Sequence, residues 1–201
     1  MHIQTFETQE EWLAARIGKI TGSRLKDIVV KRGTGKKIGF YELIAERIGL
    51  PGDDENPMDR GHRLEEEAID RFEAQTEKTV DRSLVIWMRD DDASVAVSPD
   101  GSVSKTEAVE AKCLSSARHI EAYLTKEIPD EYHYQALQYF IVNDDLETLH
   151  FCFFDPRLKV ADFFIIEVTR KQVLPEIEAM LIYQRETLSE VNQIVDSLLQ
   201  F

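Results

Sequence analysis

Apolar residues recur at helical spacing in some stretches of the chain and form short continuous or alternating runs in others. Helices are predicted from a capping box at Thr8 and Glu11 through Ile17, and over 40–48, 60–72, 132–142 and about 171–199. Strands are predicted at 83–88, 94–97, 108–113, 148–154 and 163–168. This order predicts a single α/β domain, residues 1–201, with a mixed central sheet flanked by helices.

The segment 98–113 combines turn chemistry with charged residues on an apolar strand. Pro99-Asp100-Gly101 separates the strands 94–97 and 108–113, so the pattern predicts a hairpin. Strand side chains alternate between faces, which places Glu110 and Lys112 on one face. The Ala111 carbonyl can turn toward a group held by Asp100 and Glu110. Carboxylate and carbonyl oxygens are ligands suited to magnesium or manganese.

An ordinary turn followed by a surface charge pair is the alternative interpretation. It conflicts with the composition of the second strand, which is apolar at Ala108, Val109, Cys113 and Leu114 and should be largely buried. Charged side chains are rarely buried without a partner or a metal ion. A buried Glu110 therefore favours a functional site.

Two further residues are candidates for the same site. Glu65 falls on the apolar stripe of the helix 60–72, which Leu64, Ala68 and Phe72 mark, and should face inward. Gln135 lies on the helix 132–142. For Gln135 an ordinary polar helix position remains an equal alternative.

Charge limits the class of partner. The chain carries a net charge of −14 with a pI near 4.8, which argues against a polyanionic ligand. The charge is uneven, however, because residues 1–37 carry a net +4 and the remainder −18. A localised basic surface can still attract nucleic acid while acidic faces maintain solubility.

The two cysteines and the hydropathy pattern indicate a cellular compartment. Cys113 and Cys152 both lie in apolar runs and are expected to be reduced core residues. There is no apolar stretch of membrane-spanning length and no signal-peptide pattern at the N-terminus. We therefore expect a cytoplasmic protein without membrane contact.

Several motifs in this order resemble the phage lambda-type exonucleases, also called YqaJ-type viral recombinases, within the PD-(D/E)XK nuclease superfamily. The motifs include Gly61-x-x-x-Glu65, Ser98-Pro99-Asp100-Gly101, Glu110-Ala111-Lys112, Gln135 with Tyr139, Phe154-Asp155-Pro156-Arg157, and Trp12, Arg16, Ile20-Thr21-Gly22-Ser23 and Gly35-Lys36-Lys37 near the N-terminus. The resemblance covers most of the chain. It implies a restriction-endonuclease-like core.

The resemblance also implies roles for individual residues. Asp100, Glu110 and the Ala111 carbonyl would hold one Mg²⁺ ion, and Glu65 with Asp100 a second, with Mn²⁺ as a possible substitute. Lys112 would orient or deprotonate the attacking water, and Gln135 would fix that water or Lys112. The remaining matches are Arg16, Ser23 and Arg32 as a 5′-phosphate pocket within the basic N-terminal segment 1–50, and Met58 as a wedge at the DNA end. For Ser23, a plain helix cap remains the alternative.

The implied activity is 5′-to-3′ digestion of one strand of linear double-stranded DNA, which releases 5′-mononucleotides and leaves a 3′ single-stranded tail for recombination. The implied assembly is a homotrimeric ring that works with a single-strand annealing protein. Two alternatives remain open: a PD-(D/E)XK endonuclease without the end pocket, and a non-catalytic acidic binding module. Closed circular DNA discriminates the exonuclease from the endonuclease.

Overall fold

The computed structural model of the chain describes residues 8–14, 38–50 and 57–199. The helices within these residues are α1 Gln9–Ala14, α2 Ile38–Arg47, α3 Pro57–Thr76, α4 Ser116–Thr125, α5 His133–Val142 and α6 Arg170–Leu199, with a 3₁₀ turn at Asp130–Tyr132. The strands are β1 Trp87–Arg89, β2 Asp92–Val97, β3 Gly101–Ser102, β4 Glu107–Lys112, β5 Thr148–Phe154 and β6 Phe163–Thr169.

The central sheet has four strands in the order β3-β4-β5-β6. β4 and β5 are parallel, while β3 and β6 pair antiparallel with their neighbours, so the sheet is mixed. Helix α3 covers one face through Ile69 and Phe72, which pack against Val109 and Cys152. Helices α5 and α6 cover the other face. The predicted α/β architecture with a mixed sheet flanked by helices is confirmed.

The helical patterns of the sequence correspond to helices among the described residues, and the part of the first predicted helix from 15 to 17 lies outside them. Thr8 and Glu11 form the predicted capping box, because the Glu11 backbone N–H donates to Thr8 Oγ1 at 3.2 Å and the Thr8 N–H to Glu11 Oε2 at 3.4 Å. The predicted core stripe of α3 is buried, with Leu64, Ala68, Ile69 and Phe72 at most 4% exposed. Helix α3 begins at Pro57. Proline is suited to this position because the N–H groups of the first turn make no hydrogen bond within the helix, so none is lost.

The predicted hairpin between the strands 94–97 and 108–113 is wrong. β2 pairs with β1 in a separate two-stranded sheet, and the antiparallel partner of β4 is the two-residue strand β3. Pro99 lies between β2 and β3 and has no N–H to contribute to a continuous ladder. The chain therefore changes sheets at Ser98–Asp100.

Gly101 also has a different role from the predicted turn residue. It begins β3 and does not adopt a positive φ. A Cβ atom at this position would lie 2.3 Å from Val80 Cγ1. Glycine is required here because the segment preceding β1 passes close to β3, where Asp81 and Ser102 form an isolated bridge.

The strand predicted at 83–88 is much shorter than expected, since β1 begins only at Trp87. Ser83 is instead held by Asp81, whose Oδ1 accepts from the Ser83 N–H at 2.9 Å and from its hydroxyl at 2.6 Å. This local turn competes with strand pairing. Leu84 and Ile86 remain exposed as a result.

Helix α4 and strand β3 were not predicted from the sequence. Ser115 caps α4, because its side chain accepts from the Arg118 N–H at 3.3 Å, and Lys126 ends the helix with a positive φ of 58°. Ala117 and Ile120 of α4 pack against Tyr41 of α2. The cap and this apolar spacing were the signals available in the sequence.

Among the described residues, no helix is both long enough and apolar enough to cross a membrane. Cys113 and Cys152 are both free thiols, as expected. Cys152 is a core residue, fully buried beneath α3, whereas Cys113 is only partly buried. Burial, reinforced by the nearby charges of Asp100 and Glu110, raises the pKa of the Cys152 thiol above its ordinary value.

Candidate active site

Strand β4 carries the centre of the candidate site. Its middle residues are buried, and Glu110 is only 1% exposed although it is a carboxylate. Lys112 Nζ forms an ion pair with Glu110 Oε1 on the same face of the strand. The predicted juxtaposition of Glu110 and Lys112 on a buried strand is confirmed.

Asp100 reaches the same strand from the loop that precedes β3. Its Oδ2 atom accepts a hydrogen bond of 2.7 Å from the Ala111 backbone N–H. The register that pairs Gly101 with Val109 would place Pro99 opposite Ala111 if β3 continued. Since Pro99 has no N–H, it cannot bond the Ala111 carbonyl, which points to the same edge as the Ala111 N–H. Asp100 and the Ala111 carbonyl therefore share the edge of β4.

Three carboxylates influence one another at this edge. Burial, together with the charges of Glu110 and Glu65, raises the pKa of Asp100 from 3.8 to about 7, although the Ala111 N–H and Lys112 act in the opposite direction. Glu65 extends from α3, where it is half-buried beside the core residue Leu64. The structure thus brings Asp100, Glu110, Lys112 and Glu65 into one electrostatic cluster.

Helix α5 supplies two donors to Glu110. Gln135 Nε2 donates to Glu110 Oε1 at 2.6 Å, and the Tyr139 hydroxyl donates to Glu110 Oε2. Gln135 therefore lies in the predicted site, where its amide nitrogen contacts Glu110. The contact of Tyr139 with Glu110 was missed, since in the sequence Tyr139 was named only as the partner of Gln135 in a motif. The spacing of four residues, which places both side chains on one helical face, was the available signal.

Aromatic rings line the position of Lys112. Its Nζ atom lies 5.2 Å from the ring centre of Tyr132 and 5.8 Å from that of Phe151. The Lys112 side chain is 18% exposed, whereas the side chain of Glu110 is only 2% exposed. The ammonium group is thus the part of the pair that solvent or substrate can reach.

The donor set fits a divalent cation. Two carboxylates meet at one strand edge, where the register also places the Ala111 carbonyl. Burial, followed by repulsion between the carboxylates, raises the pKa of Asp100, and a bound cation would offset both effects. Among the described residues, however, no three Asp, Glu, His or Cys side chains surround a point where an ion could sit. Asp100, Glu110 and the Ala111 carbonyl would hold the cation without a closed cage of acids. The assignment of Glu65 as a further ligand stays a prediction.

The predicted contacts to the DNA end cannot be placed. Arg16, Ser23 and Arg32 lie outside the described residues. Met58 belongs to the first turn of α3, but its side chain is likewise outside the description. The 5′-phosphate pocket and the wedge therefore remain predictions from the resemblance.

The Phe154-Asp155-Pro156-Arg157 motif joins the end of β5 to the start of α4. Asp155 is fully buried and accepts from the Ser116 hydroxyl at 2.6 Å and from Arg157 Nε at 2.7 Å. Burial alone would raise the pKa of Asp155, but these donors outweigh it and hold the pKa below the ordinary value. The motif anchors the loop that follows Lys112.

A cavity of about 780 Å³ lies away from this cluster, between the β1–β2 turn and the end of α5. Its lining includes the four aspartates Asp90, Asp91, Asp144 and Asp145. Arg89 is already paired with Asp91 and Asp144. The acidic lining is unfavourable for phosphate, so the cavity is a poor candidate for a nucleic-acid site.

Comparisons with known proteins agree with this geometry. The model of the YqaJ-like viral recombinase domain matches residues 11–145. A crystal structure of LHK-Exo in complex with dAMP is 27% identical, with a TM-score of 0.62 and coverage of 96% of this chain and 99% of that chain.

A second crystal structure of LHK-Exo, an alkaline exonuclease from Laribacter hongkongensis, is 27% identical with a TM-score of 0.54 and coverage of 91% and 100%. No curated protein matches the chain. The structural neighbours share the PD-(D/E)XK fold, which confirms the expected fold class. The family model spans well over half of the sequence, and the chain belongs to the YqaJ-like viral recombinase family, the lambda-exonuclease type that its motifs resemble.

Proposed function

We propose that this protein is a Mg²⁺-dependent 5′-to-3′ exonuclease that digests one strand of linear double-stranded DNA. The family and the structural neighbours support a nuclease of the lambda-exonuclease type. The observation that carries the proposal is the convergence of Asp100, Glu110 and Lys112 at one edge of a buried strand. A purely structural hairpin would not need this cluster of buried charges.

The proposed cation site has defined ligands. Asp100, Glu110 and the Ala111 carbonyl would hold one ion, and Glu65 with Asp100 a second. Bound Mg²⁺ supplies Lewis acidity toward a phosphoryl oxygen and lowers the pKa of a bound water. Mn²⁺ prefers the same oxygen ligands and would substitute.

Residues of the chain position the reacting groups. Lys112 is partly exposed beside Glu110, so its ammonium can hold a water or a phosphate oxygen at the strand edge. Gln135 donates its amide N–H to Glu110 and thereby fixes the carboxylate. Burial of Glu110 by α5 excludes bulk water from the inner side of the site.

The direction of digestion depends on the N-terminal segment. Arg16, Ser23 and Arg32 would bind a 5′-phosphate through a guanidinium fork and a hydroxyl, and Met58 would part the terminal base pair. The net +4 charge of residues 1–37 favours a polyanion there. The dAMP bound to LHK-Exo is compatible with release of 5′-mononucleotides.

The proposed setting is recombination by strand annealing in the cytoplasm. The 3′ single-stranded tail would pass to a single-strand annealing protein, with the nuclease acting as a homotrimeric ring. A ring would allow basic surfaces to line a channel while the acidic remainder faces solvent. The oligomeric state can be measured by light scattering.

Digestion of defined DNA tests the proposal. The substrates are linear duplexes with 5′-phosphate or 5′-hydroxyl ends and covalently closed circles, each with Mg²⁺ or EDTA, and the control protein is Lys112→Ala. We expect Mg²⁺-dependent digestion of the phosphorylated ends, intact circles and an inactive variant. Cleaved circles would identify an endonuclease, and inactivity on every substrate would support a non-catalytic binding module.

A further inference from the structure

Tyr139 contacts the candidate site through a single buried hydroxyl. The residue is fully buried on α5, and its ring packs edge-on against Trp87 with ring centres 6.2 Å apart. The hydroxyl donates to Glu110 Oε2, whereas Lys112 and Gln135 both donate to Glu110 Oε1. Tyr139 therefore restrains the Glu110 oxygen that the other two donors do not contact.

The phenol oxygen also lies beside Asp100. Burial and the charge of Glu110, followed by the hydrogen bond to Glu110 and the charge of Asp100, raise the pKa of Tyr139. The Asp100 backbone N–H acts in the opposite direction on the same oxygen. A hydroxyl can donate and accept at once. The hydroxyl that bonds Glu110 on β4 is thus placed to connect it with the loop that carries Asp100.

We propose that Tyr139 is a positioning residue that fixes Glu110 relative to Asp100 and thereby sets the affinity of the site for a divalent cation. This inference rests on the proposed function, because it requires that the two carboxylates bind metal. Groups that orient metal ligands from behind commonly change metal affinity by about 10- to 100-fold when they are removed. Within the part of the chain that the structure describes, the hydroxyl of Tyr139 bonds only at this site, while its ring packs in the core.

Alternative explanations predict different behaviour. If Tyr139 served only to fill the core, phenylalanine would preserve its function, since the ring and its contact with Trp87 would remain. If the hydroxyl acts through Glu110, its removal should matter only while residue 110 is a carboxylate. The two cases can be separated with a second substitution at Glu110.

The experiment measures Mn²⁺ binding by calorimetry for the wild type, Tyr139→Phe and Tyr41→Phe. Tyr41 is a matched control, because it is 4% exposed and lies in the α2–α4 cluster away from the site. We expect Tyr139→Phe to weaken Mn²⁺ binding by about 10- to 100-fold. Tyr41→Phe should stay within twofold of the wild type, and raised Mg²⁺ should restore much of the nuclease activity of Tyr139→Phe.

Tyr139→Phe is then combined with Glu110→Gln, and the double variant is compared with Glu110→Gln alone. This comparison also tests the inference if Tyr139→Phe by itself folds poorly. We expect Glu110→Gln with and without Tyr139→Phe to bind Mn²⁺ with equal residual affinity. Wild-type affinity in Tyr139→Phe, or an equal loss in both backgrounds, would overturn the positioning role. A wild-type protein that binds no Mn²⁺ would instead overturn the proposed function, and the inference with it.

Discussion

Asp100 Oδ2 accepts the backbone N–H of Ala111 at 2.7 Å, in the position where a continuing strand would place Pro99. A side chain thus replaces the main chain as the partner of β4 just before the start of β3. As a result, the Asp100 carboxylate lies beside the Ala111 carbonyl, which Pro99 cannot bond. One proline therefore helps to create the oxygen cluster of the site.

Replacing Asp100 with asparagine should stabilise the metal-free protein at neutral and alkaline pH. The folded pKa is raised from 3.8 to about 7, so ionisation of Asp100 opposes folding. Wild-type stability is lost as pH rises from about 4 to 7, and the variant escapes this loss. We expect a gain of roughly 2–4 kcal/mol at pH 8 that disappears near pH 4, because each pKa unit corresponds to about 1.4 kcal/mol.

Urea denaturation in EDTA at pH 4, 6 and 8 measures this effect. Asparagine keeps an oxygen for the Ala111 N–H, so the hydrogen bond is retained in the variant. The nuclease activity of Asp100→Asn should fall below detection, since a metal ligand is lost. Equal stability differences at all three pH values would show that Asp100 does not titrate in this range.

Replacing Lys112 with alanine should remove activity without removing metal binding. The ammonium pairs with Glu110 but is not an oxygen ligand. General acid–base groups typically contribute about 10²- to 10⁴-fold to rate, and we expect a loss in that range. Single-turnover digestion and Mn²⁺ calorimetry are the measurements, with the exposed Lys159→Ala as the control. Loss of Mn²⁺ binding in Lys112→Ala would assign the lysine a role in assembling the site instead.

The sequence predicted the parts of the site whose signals are local. Glu110 and Lys112 follow from the alternation of a buried strand, and Glu65 from the apolar stripe of a helix. The apolar run also predicted β5 at Thr148–Phe154, with the bounds that the structure shows. These patterns depend only on neighbours along the chain.

The features that the sequence did not predict depend on distant partners. The pairing of β4 with β3 rather than with β2 is decided by where Pro99 interrupts the ladder and by the bridge between Asp81 and Ser102. The contact of Tyr139 with Glu110 requires the packing of α5 on the sheet. Helical spacing indicates that Tyr139 shares a face with Gln135, but it does not indicate which strand residue that face contacts.

Replacing Gly101 with alanine should destabilise the protein through one steric contact. The new Cβ would lie 2.3 Å from Val80 Cγ1, so the segment carrying Asp100 must shift. Overpacking of this kind costs about 1–3 kcal/mol. Val80→Ala removes the opposing methyl groups and should recover part of that loss in the double variant. Thermal unfolding of both single variants and the double variant measures the coupling, and strictly additive losses would contradict the contact.

Replacing Arg170 with alanine should destabilise the fold more than the loss of an exposed ion pair. Its guanidinium donates to the carbonyls of Leu146 at 2.7 Å, Phe140 at 2.9 Å and Asn143 at 2.5 Å, around the C-terminal end of α5. Hydrogen bonds from charged groups contribute about 1.5–3 kcal/mol, and the carbonyls would lose their partner. We expect a loss of about 2–3 kcal/mol in urea denaturation.

The control for Arg170 is Arg185, which pairs with Asp91 while 44% of its side chain is exposed. Exposed pairs contribute about 0–1 kcal/mol, so Arg185→Ala should change stability little. Arg170→Lys should not rescue the fold, because only a guanidinium presents donors to three carbonyls at once. Equal losses for Arg170→Ala and Arg185→Ala, or full rescue by lysine, would show that the three carbonyl contacts do not hold α5 against the start of α6.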